Sequence, residues 1–333
     1  MRWAFSAWAA VLLAIGLSTL PTGALAQRGY IAPEAATGYS EKSLAQAKSY
    51  MVSAANPLAV EAGVRILQEG GSAVDAAIAV QLVLNLVEPQ SSGIGGGAFL
   101  LHWDAETKEL KSYDGRETAP AAARPDRFLR DGRRIPFDEA VHSGLSIGVP
   151  GLVRLLEEVH RRHGKLPWAR LFEPAIALAE NGFPVSPRLN LLLTWMGAEN
   201  FDPAARRLYF SENGSAWPVG YRLKNPEFAG TLRRIAEEGA EAFYSGEIAE
   251  KIVAAAANAP NHRGDITLAD LAAYKSVERP PICVIYRRHR VCGMGPPSSG
   301  GIAVAQTLKL LEPFDLGRGP EAALNPRAMH LIA

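Results

Sequence analysis

Gly71-Ser72-Ala-Val-Asp75-Ala-Ala-Ile-Ala-Val-Gln81-Leu-Val-Leu-Asn85-Leu-Val87 runs into Glu88-Pro-Gln-Ser-Ser-Gly93-Ile-Gly95-Gly96-Gly97 and then Ala98-Phe-Leu-Leu-His-Trp103, and the fold turns on this stretch. Ser72 is placed as an N-cap with Asp75 at N3, the acid variant of a capping box. Apolar side chains fall on every face, so the helix is expected to be buried all round. Asp75, Gln81 and Asn85 interrupt it, and it is too short to span a bilayer. The order helix, glycines, strand is the reverse of a nucleotide-binding loop, where phosphate sits on amides that open a helix after a strand. The glycines read instead as a tight turn in which two backbones approach closely.

A second strand, about Leu110 to Asp114, returns after the polar link Asp104 to Lys108 and delivers Asp114-Gly-Arg116-Glu117-Thr-Ala-Pro120. Arginine suits a bidentate grip on a carboxylate, and a strand end facing a glycine-lined cleft is a place for one. Taken alone, Arg116 is more often a structural ion-pair partner than a ligand residue.

Upstream, Met1-Arg2, the apolar run Trp3 to Leu20 and Ala24-Leu-Ala26 have the basic start, apolar middle and small-x-small end of a secretory signal. Cleavage after Ala26 leaves residues 27–333 as the mature region. Pro21 and the Ala-Leu-Ala ending speak against an uncleaved anchor. No other apolar run approaches membrane-spanning length, so a periplasmic or secreted protein without membrane contact after cleavage is expected. The 333 residues are 48% hydrophobic and 21% charged, with 35 Lys and Arg against 34 Asp and Glu, a net charge of +1. That balance gives no electrostatic argument for nucleic acid or an anionic membrane and favours a small-molecule substrate.

Residues 27 to about 49 are polar and without period, an extended lead-in. Asn56 caps a helix with Pro57 first and Val60, Val64 and Leu67 on one face, ended by Gly70-Gly71 and packed beside the core helix. Ala121 to Val141 is loop-rich and charged. Gly151 to His163 is an amphipathic helix stopped by Gly164; His160 and His163 lack an adjacent carboxylate motif and are read as a solvated face beside Arg161 and Arg162, not as metal ligands. A helix from about Leu166 to Glu180 ends at Asn181-Gly182. Ser186 to Pro226 suggests short helices and loops over the surface, and its sequon Asn213-Gly-Ser215 carries no weight in a chain of unknown source. Glu227 to Ala257 returns to helical periodicity, and Thr267-Leu-Ala-Asp270 is a second capping box.

Cys283 and Cys292 flank Val284 to Val291. If Arg287-Arg288 is a two-residue hairpin turn, the two cysteines lie directly opposite. An oxidising compartment would permit a bridge, but strain in direct cross-strand bridges and the poor fit of Arg-Arg to a type I′ turn weigh against it. Two cysteines alone do not make a metal site. Pro296-Pro-Ser-Ser-Gly-Gly301 precedes a helix with Val304, Leu308 and Leu311 on one face. Ser298 and Ser299 sit in no nucleophile elbow, so a rigid polar turn accounts for them. Asn325 caps a last helix that has barely completed two turns at Ala333, from which a chain truncated inside a longer protein is expected.

Together Gly70-Gly-Ser-Ala-Val-Asp-Ala-Ala77, Glu88 to Gly97 and Asp114 to Pro120 resemble the large subunit of the gamma-glutamyltranspeptidase family. The resemblance continues through Gly148-Val-Pro-Gly151, Gly164-Lys-Leu-Pro-Trp168, Glu173 to Ala179, Gly182-Phe-Pro184, Asp270-Leu271 with Tyr274, and Pro296 to Gly301, in the family order from about Lys48 onward. Two departures are Arg288, where the family usually has glycine, and Gly295, where it tends to have proline. The resemblance implies an α/β fold of N-terminal nucleophile hydrolase type, layered α/β/β/α, of which this is the large-subunit half. It implies transfer and hydrolysis of gamma-glutamyl amides such as glutathione, through an acyl-enzyme on a threonine that self-cleavage of the precursor makes the N-terminus of a small subunit. No threonine here sits in the family's cleavage motif, so no catalytic residue is assigned and the chain alone is expected to be inactive. Arg116 occupies the position that holds the alpha-carboxylate of the gamma-glutamyl group, which reverses its reading from structural to substrate-binding. No cofactor or metal is implied. An acylase for glutaryl or beta-lactam side chains and a non-catalytic binding homologue are the alternatives.

Overall fold

The computed structural model describes residues 43–319, 321–322 and 325–333; the expected signal, residues 1–26, lies outside them. The described part of the lead-in, up to Asn56, carries no helix or strand. Helix α1 (Pro57–Gln68) starts at Asn56, whose Oδ1 accepts from the Leu58 amide at 3.1 Å. The apolar face expected at Val60, Val64 and Leu67 is only half-buried, and the buried face is Ala59, Ala62, Gly63 and Ile66. Small residues win that face because they let two helices approach: a Cβ on Gly63 would lie 2.6 Å from Val80 Cγ2 of α2 (Ala73–Val87).

Helix α2 opens with the expected reciprocal capping box between Ser72 and Asp75. Most of it is buried, but one stripe is not, with Ala73 and Ala77 exposed and Val80, Gln81 and Leu84 half-buried, so burial all round is corrected. Its polar interruptions tie down the glycine turn that follows. Gln81 Nε2 donates to Asn85 Oδ1 (2.8 Å) and Ser92 Oγ (2.6 Å), and buried Glu88 accepts from Asn56 Nδ2 (3.0 Å) and Gln90 Nε2 (2.6 Å).

Beyond the turn, β1 (Ala98–Asp104) pairs antiparallel with β2 (Glu109–Gly115), in a register running from Ala98↔Gly115 to Asp104↔Glu109. Asp104 Oδ1 accepts from the Glu106 and Thr107 amides and closes the link. The charged loop that follows holds a small hairpin, β3 (Leu129–Arg130) with β4 (Arg133–Arg134), and α3 (Phe137–Val141). Helix α4 (Leu152–His163) then packs its buried face, Leu152, Val153, Leu155, Leu156 and Val159, onto β2 and α2.

The single helix expected over 166–180 is a 3₁₀ turn, Trp168–Phe172, running into α5 (Glu173–Asn181). Pro174 lacks the N–H that would continue the ladder, which is why the two segments do not merge. Strand β5 (Phe183–Pro184) pairs with β6 (Arg222–Leu223) around α6 (Pro187–Met196) and α7 (Pro203–Tyr209). This segment does more than lie over the surface: Phe183, Leu189, Leu193, Phe210 and Leu223 belong to the core. The periodic run 227–257 is three helices, α8 (Pro226–Glu238), α9 (Glu241–Tyr244) and α10 (Gly246–Ala257), broken where Gly239 and Gly246 take φ +79° and +62°.

Helix α11 (Leu268–Ala273) carries the second capping box, as expected. Strand β7 (Val277–Arg279) adds to the hairpin to give a sheet of order β1-β2-β7. Strands β8 (Ile282–Tyr286) and β9 (His289–Gly293) turn at Arg287-Arg288, placing Cys283 opposite Cys292. Their sulfurs are bonded, with Cα atoms 4.1 Å apart, which corrects the reading against the bridge. Only Arg287 takes a positive φ, +55°, so the turn is not type I′. Counting back from Tyr286↔His289, every second pair is a non-hydrogen-bonded one, where Cα atoms come closest, and Cys283↔Cys292 is such a pair. On α12 (Gly300–Leu311) only Leu311 of the expected face is buried, and Val304 is exposed. Helix α13 (Pro326–Ile332) is capped by Asn325 Oδ1 from the Ala328 amide.

The two α4 histidines are not a solvated face. His160 Nε2 meets Leu166 O at 2.8 Å, and His163 Nε2 meets the hydroxyl of fully buried Tyr113 at 2.7 Å while its ring stacks on His102 at 4.0 Å. Sequence spacing shows only that they share a helix face; what that face meets is tertiary. Burial, then the charges of His102, Lys111 and Arg162, hold the His163 pKa below 6.5. A folded-state value below the unfolded one means that stability is fully present above about pH 6.5 and is lost as pH falls toward the folded value. Thermal unfolding from pH 7.5 down to 5.5 is therefore expected to show a steeper loss of Tm in the parent than in His163→Gln, and parallel curves would remove His163 as a contributor.

Candidate functional site

Three backbone segments converge where the β1–β2 hairpin opens. The Gly96 carbonyl accepts from both the Gly151 and Leu152 amides at 3.0 Å, so the glycine turn satisfies the first free donors of α4. A Cβ on Gly97 would lie 2.6 Å from Gly115 O, and one on Gly151 would lie 2.2 Å from that same oxygen and 2.1 Å from the Tyr274 hydroxyl. Close backbone approach, as expected, holds at Gly97, whereas a Cβ on Gly93 or Gly95 would meet no atom within 4 Å; the run ends at a strand, not at the start of a phosphate-binding helix.

Arg116 emerges from this junction with its main chain fixed on both sides. Its amide donates to Asp114 Oδ1 at 2.8 Å, and its carbonyl accepts from the Tyr274 hydroxyl at 2.7 Å. Asp114 is buried and its other oxygen accepts from Arg279 Nε of β7 at 2.7 Å. Burial, together with the charges of Asp114 and Glu117, pushes the Tyr274 phenol up to about 12, so it remains a donor at physiological pH. Two residues on, Thr118 bridges to Val149 through paired backbone bonds, and Ala121 donates its amide to Asp270 of the α11 capping box at 2.9 Å. The Asp270 carboxyl is raised by burial, but hydrogen bonds from Ala121 and Thr267 outweigh this and leave it below its usual value.

The side chain of Arg116, in contrast, is not held inside the scaffold. It is 56% exposed, its Nε lies 3.0 Å from Glu117 Oε2, and it lines a cavity of 560 Å³ with Glu117, Phe128, Leu145, Ile147 and Gly148. It is thus neither far from a cleft nor locked inside the scaffold; it is paired with its neighbour at the rim. Arg127, which sequence reading passed over, lines the same cavity, and its side chain is only 9% exposed. Its Nε donates to Leu145 O at 2.8 Å and its guanidinium pairs with Asp265, so it staples the wall that faces Arg116. Nothing local marks it out, because its partners lie 18 and 138 residues away.

Ser298 sits in a turn and its Oγ accepts from the Gly300 amide at 3.3 Å, the structural role expected of it. Among the described residues no group of three or more His, Cys, Asp or Glu side chains is placed to hold a metal ion.

The family model described as gamma-glutamyltranspeptidase matches residues 59–333. The chain is 39% identical over 272 residues to the glutathione hydrolase proenzyme of Bacillus subtilis strain 168, which covers 81% of this chain and 46% of that protein. The glutathione hydrolase proenzyme of Escherichia coli K12 gives the same identity and the same coverage of both chains. Among solved structures, gamma-glutamyltranspeptidase from Helicobacter pylori superposes with a TM-score of 0.80 at 33% identity, over 87% of this chain and 82% of the other. The chain spans about half the length of the curated relatives it matches.

Proposed function

The chain belongs to the gamma-glutamyltranspeptidase family, an enzyme family, and from that we propose that it is the donor-gripping half of an enzyme that transfers and hydrolyses gamma-glutamyl groups. Its fold is the α/β fold of N-terminal nucleophile hydrolases. The observation that carries the proposal is the placement of Arg116. A guanidinium on a rigidly bonded main chain faces a partly apolar cavity, with Glu117 at 3.0 Å as its side-chain partner at the rim. In that position it can take the alpha-carboxylate of a gamma-glutamyl donor in a bidentate fork, while Glu117 orients the fork through Nε.

The rest of the chemistry rests on the family. A threonine freed as the N-terminus of a small subunit, cut from the same precursor, attacks the gamma-carbonyl carbon. Its alpha-amine takes the hydroxyl proton, the donor's amine leaves, and water or an amino acid then takes the glutamyl group. The curated relatives being proenzymes supports this division of labour. A periplasmic or secreted location is supported by the signal-like residues 1–26 and by the Cys283–Cys292 bridge, since disulfides persist in oxidising compartments. No helix among the described residues is long and apolar enough to cross a membrane.

Residues 1–333 on their own are expected to turn over no gamma-glutamyl-p-nitroanilide, whereas the self-cleaved precursor is expected to do so. Turnover by the chain alone would put the nucleophile within it. Preference of the cleaved enzyme for glutaryl-p-nitroanilide, which keeps the terminal carboxylate but lacks the alpha-amine, would replace this reading with that of an acylase.

A further inference from the structure

Three contacts from one short stretch, α11 to β7, bracket Arg116. Asp270 Oδ1 accepts from the Ala121 amide at 2.9 Å, the Tyr274 hydroxyl donates to the Arg116 carbonyl at 2.7 Å, and Arg279 Nε donates to Asp114 Oδ2 at 2.7 Å. Asp114 passes that hold on, since its Oδ1 accepts from the Arg116 amide. Both polar groups of the Arg116 main chain are therefore bonded. One bond comes from Tyr274, and the other traces through Asp114 to Arg279.

The stretch that does the holding is itself fixed. Asp270 closes the Thr267 capping box with its other oxygen, and Arg279 pairs with Ser112 in the β2–β7 register while its carbonyl accepts from Ser112 Oγ at 2.6 Å. The Tyr274 ring is almost buried and stacks on fully buried Tyr244, with centroids 5.9 Å apart and planes 8° apart. Tyr244 in turn donates to Pro150 O at 2.9 Å and accepts from the Arg154 amide at 3.2 Å, so the pair of rings is anchored to the start of α4. What these bonds fix at Arg116 is the direction of its Cα–Cβ bond, leaving the guanidinium only its own torsions. A bidentate fork is directional, and a misplacement of about 1 Å at a reacting complex can cost on the order of a hundredfold in rate.

We propose that Tyr274 is a positioning residue for the donor: its hydroxyl, backed by Tyr244, sets the direction in which Arg116 meets the alpha-carboxylate, and Arg279 does the same from the other side through Asp114. The proposal rests on the gamma-glutamyl reading above. Tyr274 and Arg279 act through Arg116, so removing either one weakens donor binding only while Arg116 is present.

The test uses the self-cleaved precursor with gamma-glutamyl-p-nitroanilide, comparing the parent with Tyr274→Phe, Arg116→Ala and the double variant. Tyr274→Phe removes one hydroxyl and keeps the stacked ring, so it is expected to raise the donor KM roughly fivefold while kcat stays within about twofold. With Arg116→Ala already in place, the same change is expected to move the KM by less than about 1.5-fold, a coupling that the double-variant cycle reads directly. Arg279→Gln, at a side chain 41% exposed, is expected to repeat the pattern with a smaller rise. A purely structural role would lower Tm and raise the KM by the same factor with and without Arg116. That result for either variant, or an unaltered KM in Tyr274→Phe, would overturn the assignment while leaving Arg116 in the donor site. An unaltered KM in Arg116→Ala alone would overturn the donor reading and this assignment with it.

Discussion

Replacing Arg116 by alanine is expected to raise the KM of the self-cleaved enzyme for gamma-glutamyl amides by about ten- to a hundredfold while leaving the melting temperature unchanged. A hydrogen bond to a charged group is worth roughly 1.5–3 kcal/mol, and each 1.4 kcal/mol is about a factor of ten in affinity. The side chain is half exposed and its pair with Glu117 is a surface pair, which contributes little to folding. The main-chain bonds to Asp114 and Tyr274 survive the substitution, so the junction should hold. Arg116→Lys keeps the charge but not the planar fork, and should fall between the two. Donors without an alpha-carboxylate should not distinguish the variants. Steady-state kinetics with both donor types checks this, and an unaltered KM in Arg116→Ala would remove the residue from the site.

What was legible in the sequence was local. The capping boxes of α2 and α11 are read from residues three apart, and the β1–β2 hairpin from an apolar run, a polar link and a return strand. The position of Arg116 at the hairpin mouth follows from the same pattern. The bonds that make it a site did not follow, because they join distant parts of the chain: Tyr274 reaches the Arg116 carbonyl across 158 residues and Arg279 reaches Asp114 across 165. His163 misled for a related reason. Its flanking arginines suggest solvent, whereas the strand residues His102 and Tyr113 that cover it come from fifty or more residues earlier. The α8–α10 break, by contrast, was present in Gly239 and Gly246 and was hidden by the apolar period that continues through them.

The largest effect on stability is expected from Asp75→Ala. This carboxylate is fully buried, and its Oδ2 accepts from the Ser72 amide at 2.8 Å, the Lys165 amide at 2.8 Å and the Leu166 amide at 3.1 Å. The first bond closes the start of α2; the other two hold the loop after α4 against it. One atom thus fixes the α4 end opposite to the end that bonds Gly96 at the site. Alanine would leave these donors without their acceptor, at a cost of about 3–5 kcal/mol, since stranded buried groups are among the few causes of losses that large. For a chain of this size that is a fall in Tm on the order of 10 °C. Asp75→Asn can still offer one oxygen to the same amides and should lose markedly less, which separates the geometry of the acceptor from its charge. Calorimetry on the two variants, with amide exchange at Lys165 and Leu166, reads both. A Tm within about a degree of the parent for Asp75→Ala would show that the loop is held by its apolar contacts instead.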